Sequence, residues 1–158
     1  MLTRMANNLL KGKGAHASSP EMLEGLDWRL AGERPAGVPH SIYQIVNHMT
    51  FWQEFLLAQL RGESPAVPEK AALSWPGGVA PESEQEWLEA IARFAAGVAE
   101  GQRVADAGNL EETIPGRKSA KVEALAQIAA HNTYHLGQVT LLRRMLGSWP
   151  PPCGGDTW

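Results

Sequence analysis

Between positions 42 and 60, Ile42, Ile45, Val46, Met49, Trp52, Leu56 and Leu60 recur at the three- and four-residue gaps of a helix. A strand would repeat its face every second residue, so this spacing predicts a long α-helix with one buried stripe. Ser41 stands where an N-cap is needed and Gly62 where the chain must leave the helix. Such a stripe is stable in water only against other stripes.

The rest of the chain supplies them. Leu2, Met5, Leu9 and Leu10 mark a short helix over 2–12, punctuated by Gly12 and Gly14. Ser19 and Pro20 suit the cap and first position of a short segment ending near Leu26. The prolines and glycine between Arg34 and Pro39 exclude a regular element. Pro65, Pro68, Pro76, Gly77 and Gly78 make 63–80 a long connection, either a crossover between helices or a functional loop. Pro81 is expected to open the next helix, with Glu82, Glu84 and Glu86 complementing its dipole and Trp87, Ile91, Phe94 and Val98 forming its stripe. After Gly108 and the tight turn at Pro115-Gly116, Ser119 is the expected cap of a last long helix. Its buried positions are Val122, Leu125, Ile128, Leu136, Val139, Leu142 and Leu146, and Arg143 and Arg144 suit its C-terminal end. No stretch alternates as a strand would. Four principal helices predict an all-α, four-helix bundle as a single domain over 1–158. The long connections permit parallel neighbours, and an up-up-down-down order is expected.

A net charge of −3 and the lack of a long basic run argue against a nucleic-acid partner. No apolar stretch has the length of a membrane span, and the N-terminal residues lack the apolar run of a secretion signal. Cys153 is the single cysteine, which excludes an internal disulfide and suits a reducing compartment. A cytoplasmic protein is expected. Cys153 lies in a Gly-rich tail with no histidine near it in sequence, and reads as an incidental thiol.

The chemistry points to the histidines. His131 and His135 are four residues apart in the last helix, so both imidazoles lie on one stripe. Each borders the apolar positions of that helix, and His48 borders those of the helix from Ser41. A buried imidazole is costly unless its nitrogens find partners, and three that converge can share one divalent ion. Zinc, nickel, iron or cobalt would suit, with a coordination position left for water or substrate. Glu54 could approach as a fourth ligand, and Asn132, Tyr134 and Gln138 could support the imidazoles. Alternatively, each histidine simply bonds a backbone carbonyl; His16 and His40 read as structural hydrogen-bonders. Trp52 and Trp87 read as core, although Tyr43, Trp52 and Tyr134 could line a pocket. Trp149 and Trp158 are expected to pack on the bundle or across a dimer interface.

The segments S-I-Y-Q-I-V-N-H-M and H-N-T-Y-H-L-G-Q-V-T-L-L-R-R-M-L-G, and the ending W-P-P-P-C-G-G-D-T-W, resemble the DinB-like (YfiT-like) superfamily over nearly the whole chain. The resemblance implies an up-up-down-down bundle, commonly homodimeric, with His48, His131 and His135 as ligands to zinc or nickel. It implies activity as a thiol S-transferase using a low-molecular-weight thiol, or as a metal-dependent hydrolase acting on a small molecule. A non-catalytic metal-binding bundle, structural or stress-related, is the alternative.

Overall fold

The computed structural model describes residues 1–12 and 14–154. Its α-helices are α1 (Leu2–Lys11), α2 (Ser19–Leu23), α3 (Trp28–Gly32), α4 (Ile42–Leu60), α5 (Glu84–Asp106) and α6 (Lys121–Met145), with a 3-10 turn at Ala71–Ser74. α1, α4, α5 and α6 are the four principal helices expected, one short and three long, and among the described residues no strand forms; Thr113 and Ala120 make one isolated antiparallel bridge around the Pro115-Gly116 turn. No described helix is long and apolar enough to cross a membrane.

Local chemistry sets the ends. Ser41 caps α4 by accepting from the Gln44 amide while Gln44 returns a bond to the Ser41 amide. Gly12 closes α1 in the left-handed region, at φ 70°. Three expected boundaries shift. Ser18 rather than Ser19 caps α2, because Glu21 completes its capping box. Ser83, not Pro81, starts α5: its hydroxyl accepts from the Glu86 amide, leaving Glu82 outside the helix. Ala120, not Ser119, precedes α6.

α1 and α4 each pack against both α5 and α6. Cross-helix pairs fix the directions. Tyr43 bonds Glu86 near the two N-termini, Gln53 reaches Phe94 midway, and Arg61 pairs with Glu100 further on, so α4 and α5 run parallel. Asn7 bonds Asp106 while Leu10 lies beside Gly101, so α1 opposes α5. His48 faces His135, and Leu57 joins Leu125 and Ile128, so α6 opposes α4. The order is thus up-down-down-up, a correction to the expected up-up-down-down. Its cause is the 63–80 connection, which returns the chain to the starting end of α4 before α5 begins.

The apolar core lies in two parts. One gathers Met49, Trp87, Phe94, Leu136 and Val139; the other gathers Leu10, Leu57, Ala105, Leu125 and Ile128. Gln53 and Asn132 are buried between them, with Asn132 Nδ2 donating to Gln53 Oε1 at 3.0 Å and Gln53 Nε2 donating to the Phe94 carbonyl at 2.9 Å. Gly97 makes room for that pair: a Cβ there would lie 2.0 Å from Gln53 Nε2. Arg143, expected at a solvated helix end, is instead 1% exposed and donates to the carbonyls of Met22, Glu24 and Ser148, tying α6 to the C-terminal end of α2. On α1, Met5 and Leu9 face outward, and Ala6 and Leu10 carry the buried face.

Candidate metal centre

Next to the Gln53–Asn132 pair, α4 and α6 bring His48, His131 and His135 together. One ring nitrogen from each lies within 4.8 Å of the other two. Ring centroids are 5.1 Å apart for His48 and His131, 4.8 Å for His48 and His135, and 4.5 Å for His131 and His135. The four-residue spacing on α6 sets the last distance, and the antiparallel packing of α4 supplies His48.

The surroundings orient two of the rings. His48 Nδ1 lies 3.1 Å from both the carbonyl and the hydroxyl oxygen of Ser74, while the Ser74 hydroxyl donates onward to the Ala71 carbonyl. The carbonyl requires Nδ1 of His48 to carry the proton, which leaves Nε2 as a lone-pair donor. His135 Nδ1 donates in the same way to Gln138 Oε1 at 2.7 Å. Bonds of this kind fix tautomer and ring direction in histidine metal sites.

Burial holds the rings neutral. It pushes His48 down to about 4, and His131 also to about 4, with the neighbouring imidazoles adding to the effect on His131. His135 is lowered as well, chiefly by burial. Neutral imidazoles are the form that binds metal, and a divalent ion would satisfy lone pairs that cannot bond to one another. The donor set therefore fits a divalent ion of intermediate softness.

Among the described residues, no cysteine or carboxylate joins the three histidines as a possible ligand. Glu54, the one carboxylate that could have approached from the His48 helix, is committed elsewhere: its two oxygens accept from Arg93 Nε and Nη2, each at 2.7 Å. Asn132 does not support the imidazoles either, since it bonds Gln53, whereas Gln138 does so as expected. His16 is a structural bonder, its Nδ1 donating to the Ala17 carbonyl and its Nε2 accepting from Thr133. Tyr43 is turned away towards Glu86, and Trp52 is half-buried between Phe51 and Phe55 rather than in the core, unlike Trp87. Trp149 is half-buried beneath the Arg144 guanidinium; Trp158 lies outside the described residues. Cys153 is exposed and free.

Trp75 is the residue that sequence reasoning missed. Its ring stacks on His48 at 3.8 Å and 4°, and His40 stacks on its other face at 3.6 Å and 8°. It meets His135 edge-on at 6.0 Å. Because 63–80 has no helical period, nothing marked Trp75 except its place in a connection too long to be idle.

No curated protein and no solved structure matches the chain. A family model does, that of the DinB superfamily, over residues 13–139, a span that includes all three histidines. The chain belongs to the DinB superfamily.

Proposed function

We propose that His48, His131 and His135 hold one divalent metal ion, zinc or nickel, and that the protein is a metal-dependent enzyme acting on a small molecule. The observation that carries this reading is the convergence of three neutral imidazoles from two helices with no fourth protein ligand among the described residues. A site closed for structural purposes usually carries four protein ligands, whereas catalytic sites keep a position open.

When bound, such an ion supplies Lewis acidity that lowers the pKa of water to about 7 or deprotonates a thiol. The chain's own part is to orient and to exclude water. Ser74 and Gln138 fix His48 and His135; Trp75 covers the His48 ring. Among the described residues no cysteine or carboxylate joins the cluster, and the Ser74 hydroxyl beside His48 is committed to the Ala71 carbonyl, so this reading takes the attacking group from outside the chain. An S-transferase using a low-molecular-weight thiol and a hydrolase using water are the two reaction types this arrangement serves. The same reading takes the protein as a cytoplasmic homodimer. Its support is the outward apolar face of α1 and α6, where Met5, Leu9, Tyr134, Leu141 and Met145 are exposed.

Elemental analysis of the purified protein, followed by assays with a thiol plus an electrophilic acceptor and with an ester and amide panel, tests the proposal. Metal-dependent turnover in either assay is expected. Thermal stability lost on chelation with no turnover in any assay would instead identify a non-catalytic metal-binding bundle.

A further inference from the structure

Beside the three histidines lies a cavity of about 360 Å³, at the low end of small-molecule sites. It shares His135 and Gln138 with the cluster and is walled by Ile45 of α4, Trp75, His40, and the Leu141, Leu142 and Met145 face of α6. Among the described residues, no lysine, arginine, aspartate or glutamate lines it. A carboxylate or phosphate would enter without a counter-charge and lose its hydration, so the walls select against ions.

The polar features are equally specific. Gln138 Oε1 is taken by the His135 Nδ1–H, and its amide hydrogens have no protein partner among the described residues. They remain to donate to an oxygen of whatever fills the cavity. Trp75 has both faces covered, by His40 and His48, so only its edge is left to the cavity. The ring edge carries the positive end of the quadrupole and favours an acceptor or the face of another ring. His40 has a buried Nδ1 without a partner among the described residues, and stacking on Trp75 holds it as the outer leaf of that wall.

We propose that this cavity binds the electrophilic substrate, through an uncharged apolar body, aryl or branched alkyl, that carries an acceptor oxygen received by Gln138. The word substrate rests on the histidine cluster being a reactive metal centre; the ligand class rests on the cavity alone. A charged thiol finds no counter-charge among the described residues of that lining, so it must approach the cluster from another side.

Amide-resonance NMR tests this on the whole chain, both metal-free and zinc-loaded, titrated with para-methylacetophenone, para-xylene and para-toluate. The ketone is expected to give saturable shifts at Val38, Ile45, Leu141 and Leu142, with weaker binding by the hydrocarbon and the weakest by the carboxylate. Leu141→Trp, at a position already 59% exposed, should narrow the cavity and weaken ketone binding about tenfold while leaving the remaining resonances in place. Absence of saturable binding, shifts confined to the groove between α1 and α6, equal binding of the carboxylate, or an unaffected Leu141→Trp variant each overturns the proposal. Equal binding of para-xylene overturns the role given to Gln138. Because the metal-free arm reads the cavity directly, failure of the metal reading leaves this result standing, and the two failures are distinguishable.

Discussion

Two polar groups bridge α4 and α6 side by side, and they solve the same problem differently. Gln53 and Asn132 carry both donors and acceptors, so they bond each other and the Phe94 carbonyl. His48, His131 and His135 face one another as lone-pair donors, two with their protons already given to Ser74 and Gln138. The amide pair finds its bonds within the protein, with Asn132 Oδ1 alone left buried and unbonded among the described residues, and it specifies how the helices register. The imidazoles need an ion to complete them. Neighbouring positions in one interface therefore serve architecture in one case and chemistry in the other, and the difference lies in proton inventory rather than in burial.

Changes to the open group should produce the largest effects. His131→Ala removes one of three ligands and is expected to abolish metal retention on desalting while leaving the helical circular-dichroism spectrum intact. Retention of the ion would place it elsewhere. Gln138→Leu takes away the acceptor that orients His135 and should weaken metal affinity about 10- to 100-fold, measured by competition with a chelator. An unchanged affinity would mean that His135 needs no orienting partner.

The amide pair should respond in stability and not in metal content. Gly97→Ala drives a methyl into Gln53 and should cost about 1–3 kcal/mol in denaturant unfolding, with metal stoichiometry unchanged. A simultaneous loss of metal would show that the two layers are mechanically coupled.

Acid sharpens the contrast further. The folded values of His48 and His131 are about 4, below the ordinary 6.5, so between these values the unfolded chain binds more protons. Stability of the metal-free protein should therefore fall as pH drops from about 6.5 to about 4, and His131→Ala should flatten that slope. The Gln53–Asn132 layer has no titrating group and contributes nothing to it. Smallest of all, Glu54→Gln breaks an exposed pair with Arg93 and should change stability by less than about 1 kcal/mol, with full metal content. Loss of metal there would restore Glu54 as a ligand.

Much of this arrangement was legible before the fold was known, for definite reasons. His48, His131 and His135 could be placed on inward faces because helical period converts spacing into direction. Trp75 could not, since the 63–80 connection has no period from which to read a side chain's aim. Arg143 looked like an ordinary basic residue at a helix end, and only the packing of the C-terminal end of α2 against α6 brings the Met22 and Glu24 carbonyls to it, beside that of Ser148. Glu54 was plausible as a ligand by position along α4, but the parallel run of α5 puts Arg93 against it. Helix order failed for the same reason: stripes say which face is buried, not which way the neighbour runs. Met5 and Leu9 show a further limit, because apolar spacing on α1 marked a face that points outward.

X-ray absorption at the metal edge, on protein loaded with one equivalent of zinc, is the most direct test of the central claim. Three imidazole nitrogens at about 2.0–2.1 Å, plus one non-protein oxygen, are predicted for the wild-type chain, with the imidazole contribution lost in His131→Ala. A shell with a fourth protein ligand, or a spectrum that the substitution leaves unchanged, would contradict it.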